Sequence, residues 1–271
     1  MGNENQSPIT TKDIAGKLMR ARTLLHCLNG VHAGGLNRLN YIEIGTAFKE
    51  DEGLSTLLAA KFIEENDLDG KVISMELFPE HIEQSREIVK KYAPDVLPMI
   101  EWHEGYSYLK MSPILESTGE IHLAFIDGGG SPVENLWEFD AILKYLSPTG
   151  VIVVDDCVHL KSTDAYPARR DFGKAQLILP LLHLADTVNF VIDSRRKDAM
   201  TVEDGIASIL PHKAMSPFLK GLMESEICIE MFQRVKEFAF SQVGSQLVIA
   251  RKNVMADRLG YDSQTNQMAI T

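Results

Sequence analysis

Tyr41-Ile-Glu-Ile-Gly-Thr-Ala-Phe-Lys-Glu-Asp-Glu-Gly-Leu-Ser-Thr56 is the stretch on which the fold of this chain turns. The apolar run ending at Ile44 reads as a buried strand; it empties into a Gly-bearing turn and then into a helix beginning near Leu54. The next apolar run, Val72-Ile-Ser-Met-Glu76, closes on an acid about 20–30 residues further on. In open α/β sheets the turn lets backbone approach a ligand, and the acid at the second strand end grips ribose hydroxyls. The pair therefore points to a bound nucleoside.

Working outward, composition sets the limits. With 271 residues and 45% hydrophobic content, the chain is long enough for one large globular domain or two small ones. The longest apolar runs, such as Val151–Val154 and Ile178–Leu182, fall far short of the ~20 residues that cross a bilayer, so no membrane partner is expected. The first residues are polar and lack the charged-then-apolar pattern of a secretion signal. Cys27, Cys157 and Cys228 are too far apart for a disulfide framework or a thiolate zinc site, which suits a reducing cytoplasm. A net charge of −11 with only small basic pairs argues against nucleic acid and for a small-molecule partner.

Ile14, Leu18, Ala21, Leu25 and Leu28 recur at helical spacing, and Asn29-Gly30 reads as the helix end. Alternation follows: strands at Leu39–Ile44, Val72–Glu76, Met99–His103, Ile121–Asp127 and Val151–Asp155, with helices at Leu54–Glu65, Pro79–Tyr92 and Val133–Leu146. Short apolar strands alternating with helices predict an α/β fold, doubly wound, with a mostly parallel sheet covered on both faces. Pro148-Thr-Gly150 reads as a tight turn into the fifth strand. Beyond Asp156, residues 161–172 read as a loop, 173–184 as a helix bending at Pro180, and Val188–Ile192 and Gln246–Arg251 as strands. The roughly 50 residues between those two strands are too many for a hairpin. They read as a helical insertion, about 195–243, with helical spacing at 217–223 and 227–240. The domain plan is an N-terminal helical segment at 1–38, a main domain at 39–252, and a polar tail at 253–271.

From Tyr41 to His159 the order of motifs resembles class I S-adenosylmethionine-dependent methyltransferases, and more narrowly the small-molecule O-methyltransferases related to catechol O-methyltransferase. Glu43-Ile-Gly45 resembles their acid-x-Gly turn, Glu76 the ribose acid, and Gly105-Tyr-Ser107 the element along the adenine. Phe125-Ile-Asp127-Gly and Leu146-Ser-Pro-Thr-Gly-Val-Ile-Val-Val-Asp155-Asp156 resemble the fourth and fifth strands with their terminal acids. The resemblance implies a seven-stranded Rossmann-like sheet and methyl transfer to a hydroxyl of a small metabolite, with secondary metabolism as the expected setting. It implies S-adenosylmethionine contacts at Glu43, Gly45, Thr46, Ser55, Glu76, Leu77, Gly105, Ser107 and Asp127. The chief departure is the first loop, where seven acid-rich residues, Thr46–Glu52, stand between glycines that the family sets closer together. That loop either bulges into solvent or reaches over the pocket, and Lys49 within it reads as a contact to the cofactor carboxylate or, in preference, as a solvated lysine.

Methyl transfer from a sulfonium is an in-line displacement that needs alignment and removal of the acceptor's proton, with no covalent intermediate. Asp127, Asp155 and Asp156 end neighbouring strands about 4.7–4.9 Å apart, so their carboxylates converge at the edge where α/β ligands bind. Such hard oxygen donors suit Mg²⁺ or another divalent cation; the competing reading is that Asp155 and Asp156 cap a turn. The metal-dependent relatives carry an Asn where Asp156 stands. They also carry a Lys or His shortly after the first Asp, where this chain has Gly128-Gly-Gly130. His159, four residues past Asp155, is then the candidate base, against the reading of a plain surface histidine. Tyr166, Arg169 and Arg170 are candidate substrate contacts or a solvated basic loop. Trp102 and His103 border the adenine or simply pack, Trp137 reads as core, and His122 receives no role. Two other functions remain open: a binding protein that has lost transfer, and a nicotinamide dehydrogenase, against which the missing second and third glycines argue. A homodimer through the terminal helices is the expected assembly.

Overall fold

A computed structural model describes residues 9–16, 19–50, 54–128, 132–157, 174–175, 177–179, 181–182, 234–243, 245–262 and 267–270. Seven strands form one sheet: β1 (Arg38–Ile44), β2 (Asp69–Glu76), β3 (Ile100–Glu104), β4 (Ile121–Ile126), β5 (Leu146–Val154), β6 (Phe238–Val243) and β7 (Gln246–Arg251). Their spatial order is β3-β2-β1-β4-β5-β7-β6. The first five are parallel, while β7 runs antiparallel to both β5 and β6. Among the described residues the α-helices with defined bounds are α1 (Thr11–Ala15), α2 (Met19–His32), α3 (Ser55–Glu65), α4 (Pro79–Tyr92), α5 (Ser107–Thr118), α6 (Pro132–Tyr145) and α7 (Lys252–Arg258).

Side chains along a strand point alternately to the two faces, and each face of this sheet buries its own cluster. Leu39, Tyr41, Val72, Leu123, Phe125, Val151 and Val153 pack with Leu24 and Leu28 of α2, Leu57 and Leu58 of α3 and Val89 of α4. Ile42, Ile44, Ile73, Met75, Ala124, Ile126, Ile152 and Val154 pack with Met111 and Leu115 of α5 and Leu136, Phe139 and Ile142 of α6. The sheet is thus covered on both faces, as the alternating pattern requires.

Four expectations need correction. The N-terminal helical pattern is two helices, and α2 runs through Asn29-Gly30 to His32. Gly30 is a contact rather than a stop, since a Cβ there would lie 2.4 Å from Leu259 Cδ2. Pro148-Thr-Gly150 lies inside β5 as an irregularity: Ile121 pairs with Leu146, but the register moves so that Leu123 pairs with Val151. The end of the proposed insertion, Phe238–Val243, is a strand rather than helix, and it pairs antiparallel with β7 as a hairpin. The polar tail is folded: α7 and the short pair β8 (Tyr261–Asp262) and β9 (Gln267–Met268) bring Val254, Met255 and Leu259 into the core. Val254, Met255, Leu259 and Met268 are buried, four apolar side chains that an average of composition hides. Residues 161–172, Val188–Ile192 and the insertion up to 233 lie outside the described residues.

Candidate active site

Parallel pairing aligns the carboxyl ends of β3, β2, β1, β4 and β5, and backbone bonds carry the ladder one step past each strand. Gly105 N–H donates to Glu76 O (2.8 Å), Gly45 N–H to Met75 O (2.8 Å), Asp127 N–H to Ile44 O (2.8 Å) and Asp155 N–H to Ile126 O (2.9 Å). Every motif singled out in sequence therefore reaches the same edge. Gly45 has φ +84°, a conformation that L side chains rarely adopt, and a Cβ on it would lie 2.6 Å from Gly128 N. Glycine here lets the β1 and β4 turns meet.

A cavity of about 340 Å³ opens at this edge, lined by Gly45, Glu76, Leu77, Gly105 and Ser107 among the expected residues. Phe78, Tyr106, Tyr108, Gly128, Glu134 and Glu138 complete most of its wall. Glu76 accepts Thr46 N–H at Oε2 (3.2 Å) and Phe78 N–H at Oε1 (3.0 Å), which fixes its carboxylate at the pocket edge. His81 Nδ1 stands 3.5 Å from Oε1 of the same group. Each Glu76 oxygen keeps a further lone pair, so the carboxylate suits a vicinal diol.

Glu43 and Ser55 lie elsewhere. Glu43 is fully buried, and its carboxyl accepts the hydroxyls of Ser55, Thr56 (2.5 Å) and Ser74 (3.2 Å). Burial pushes its pKa up to about 7, against the opposing effect of those three hydroxyls. Thr46 is also buried, its hydroxyl 3.1 Å from Ser85 Oγ and 3.3 Å from Thr56 Oγ1. These side chains brace the turn, and none of them lines the cavity. The described part of the acidic loop rests on α4: Glu50 accepts from Lys91 Nζ and Tyr92 OH (both 2.6 Å), and Phe48 stacks on His81 at 3.7 Å. Lys49 lies 4.6 Å from the Phe48 ring centroid.

Beside the cavity, Asp127, Asp155 and Asp156 bring one carboxylate oxygen each to within 4.8 Å of one another. Asp155 is fully buried, and burial together with the nearness of Asp127 pushes its carboxyl up. Among the described residues Asp155 Oδ2 has no hydrogen-bond partner, although Arg20 Nη1 lies 3.3 Å away. Asp156 adopts φ +47°, a left-handed conformation that Asp tolerates better than most residues. Two cations that the sequence reading missed sit among these acids. Lys174 Nζ donates to Asp127 Oδ1 and to Asp127 O (both 2.5 Å) and lies 3.4 Å from Asp156 Oδ2. Arg20 Nη1 donates to Asp127 Oδ2 at 3.3 Å. Burial alone would lower the Lys174 pKa, but Asp127, Asp156 and Asp155 outweigh it and hold the ammonium above its ordinary value. Three hard oxygen donors and an unbonded buried carboxylate oxygen fit a divalent cation, and Lys174 and Arg20 supply positive charge at the same place.

Glu138 was also missed. It is buried on α6, accepts from Ser107 Oγ and from Asn135 Nδ2 (3.0 Å), and burial raises its pKa to about 7. No motif flags it, because an acid at helical spacing among Leu136, Phe139 and Ile142 looks like a surface charge. Trp137, read as core, is instead 47% exposed, since α6 buries the face of Asn135, Leu136, Glu138 and Phe139. Trp102 is packed under the Arg86 guanidinium (5.0 Å), and neither it nor His103 lines the cavity. His122 is structural: its Nδ1 accepts Asn40 N–H at 3.1 Å. His159, Tyr166, Arg169 and Arg170, with Gly129 and Gly130, lie outside the described residues.

Residues 42–157 match the family model of a methyltransferase domain. No curated protein matches the chain. Among solved structures, the MycE methyltransferase from the mycinamycin biosynthetic pathway, in complex with Mg, SAH and mycinamycin VI, superposes with a TM-score of 0.53 at 10% identity, over 90% of this chain and 54% of that one. The chain therefore spans about half the length of that neighbour, and the likeness is one of fold. An O-methyltransferase from Bacillus cereus in complex with SAH gives 0.44 at 16% identity over 92% and 93% of the two chains. Cofactor-bound Rv0187 from MTB gives 0.44 at 18% identity over 84% and 78%.

Proposed function

We propose that this chain, whose residues 42–157 match the family model of a methyltransferase domain, is an S-adenosylmethionine-dependent enzyme of class I that moves a methyl group to a hydroxyl of a small metabolite. The observation that carries this reading is the single sheet edge where the cavity of Gly45, Glu76, Gly105 and Ser107 adjoins the carboxylates of Asp127, Asp155 and Asp156. S-adenosylmethionine, when bound, supplies the methyl group on a sulfonium that needs no enzyme nucleophile. Glu76 would hold the ribose hydroxyls through the lone pairs that Thr46 and Phe78 leave open. Leu77, Phe78, Tyr106 and Tyr108 offer apolar surface to the base beside it and keep water from its faces.

Asp127, Asp155 and Asp156 would hold a divalent cation such as Mg²⁺, as the Mg-bound MycE structure encourages. Such an ion lowers the pKa of a bound hydroxyl. Lys174 and Arg20 keep the three carboxylates together and neutralise part of their charge. We assign the acceptor's proton to His159 and contact with the acceptor to Tyr166, Arg169 and Arg170. The same reading includes a cytoplasmic homodimer working in secondary metabolism; among the described residues no helix is long and apolar enough to cross a membrane. The test is methyl transfer from labelled S-adenosylmethionine to a panel of hydroxylated metabolites, with Mg²⁺ and after dialysis against chelator. Labelled product that disappears with chelator supports the whole reading. Product that survives chelator removes the metal, and S-adenosylmethionine bound without any product removes the transfer.

A further inference from the structure

We propose that Phe48 and His81, stacked on each other, clamp the acid-rich loop onto α4 and so set the carboxylate of Glu76 for a ribose diol. Glu76 as the ribose acid rests on the S-adenosylmethionine reading above, whereas the clamp is built from the loop in which this chain departs from that family. The two oxygens of Glu76 are held from two different segments. Oε2 accepts Thr46 N–H (3.2 Å) at the start of the loop, and Oε1 accepts Phe78 N–H (3.0 Å) from the residue just before α4. The carboxylate therefore keeps its plane only while loop and helix keep their relative place.

The core anchors only the first residues of the loop: Thr46 and Ala47 are buried, Phe48 is half-buried, and Lys49 and Glu50 are exposed. Side chains tie the rest to α4. Thr46 Oγ1 lies 3.1 Å from Ser85 Oγ, the Phe48 and His81 rings lie parallel with centroids 3.7 Å apart, and Glu50 accepts from Lys91 Nζ and Tyr92 OH (both 2.6 Å). His81, Ser85 and Tyr92 stand at i, i+4 and i+11, a spacing that puts them on one face of the helix. The Lys91–Glu50 pair is open to solvent, where such pairs hold weakly. The aromatic stack is thus the tie that holds the middle of the loop, and it stands against the ribose acid. His81 Nδ1 is 3.5 Å from Glu76 Oε1, and the ring of Phe78, whose N–H holds that same oxygen, meets His81 edge-on at 5.2 Å. Among the described residues that line the cavity, neither Phe48 nor His81 appears. Both act through Glu76, as positioning residues.

The experiment compares S-adenosylhomocysteine with its 2′,3′-dideoxy analogue, which has no ribose hydroxyl to give, by isothermal titration calorimetry on the full chain and its variants. The wild type is expected to favour the diol by about tenfold or more, the usual weight of hydrogen bonds to a charged group. Phe48→Ala should cut that ratio by roughly threefold or more. Phe48→Leu, which keeps apolar bulk but loses the ring, should lower it as well and serves where the alanine variant is unstable. His81→Phe leaves Phe48 a ring to stack on and should hold the ratio near the wild-type value. A merely structural role would weaken both ligands equally and leave the ratio of the Phe48 variants untouched, which overturns the proposal. So does a His81→Phe ratio as low as that of the Phe48 variants. A wild type that binds both ligands alike refutes Glu76 as the ribose acid, and the clamp with it. One that binds neither ligand refutes the cofactor reading itself, and is told apart by that absence.

Discussion

Glu43 sits at the end of β1 with no water to face and three hydroxyls turned toward it. Its pKa in the folded chain is about 7 against an ordinary 4.5, so the folded state holds a proton that the unfolded state gives up. Stability from this group is complete below the ordinary value and is lost as pH rises through about 7. The loss amounts to about 3 kcal/mol. Urea unfolding between pH 5 and pH 8 should show stability falling with pH, and Glu43→Gln should flatten much of that slope, leaving the part owed to Glu138, whose pKa is shifted the same way. Lys174 calls for a different measurement. Its ammonium lies against Asp127 and Asp156, so Lys174→Met removes a positive charge from the place a divalent cation would take. Mn²⁺ binding followed by electron paramagnetic resonance is expected to tighten by roughly tenfold or more in that variant; unchanged binding would show that metal and ammonium do not share the site.

The β1 turn joins residue to element. Gly45→Ala would place a methyl 2.6 Å from Gly128 N in a backbone with φ +84°. Strain and overpacking together should cost about 2–4 kcal/mol, seen as a lowered Tm with a parallel loss of S-adenosylhomocysteine affinity. This turn was legible in sequence because its signal is local: an apolar run, a glycine and a helix start lie within sixteen residues, Tyr41–Thr56. Helix α4, Pro79–Tyr92, was legible for the same reason, having Pro at its start and the apolar residues Ile82 and Val89 on its buried face. The side chains that finish the site were not. Lys174 meets Asp127 across 47 positions and Arg20 meets it across 107, and no local pattern encodes such pairs. Glu43 was read as a ligand contact because its place in the motif is right, but three hydroxyls from α3 and β2 turn its carboxyl inward. Strand β6 escaped because Phe238-Ala-Phe-Ser fits helical spacing too, and only its pairing with β7 decides the matter.

Over the whole molecule, the two faces of the sheet are closed by segments far apart in sequence, and the C-terminal segment is one of them. Val254, Met255 and Leu259 are buried against the N-terminal face, and His26 Nε2 lies 3.1 Å from Leu259 O. Each such side chain contributes about 1.5–3 kcal/mol when fully buried, so a chain ending at Lys252 should lose most of its stability and aggregate. A truncated chain with an unchanged Tm would return the segment to the loose tail its composition suggests. Under the proposed function, a nucleoside cofactor binds at the sheet edge that gathers Gly45, Glu76, Gly105 and the three aspartates. Isothermal titration of the full chain with S-adenosylhomocysteine, beside Glu76→Ala, tests this most directly. One site per chain and at least a tenfold loss of affinity in the variant are expected; no binding to the wild type, or equal binding to both, would contradict cofactor binding at this edge.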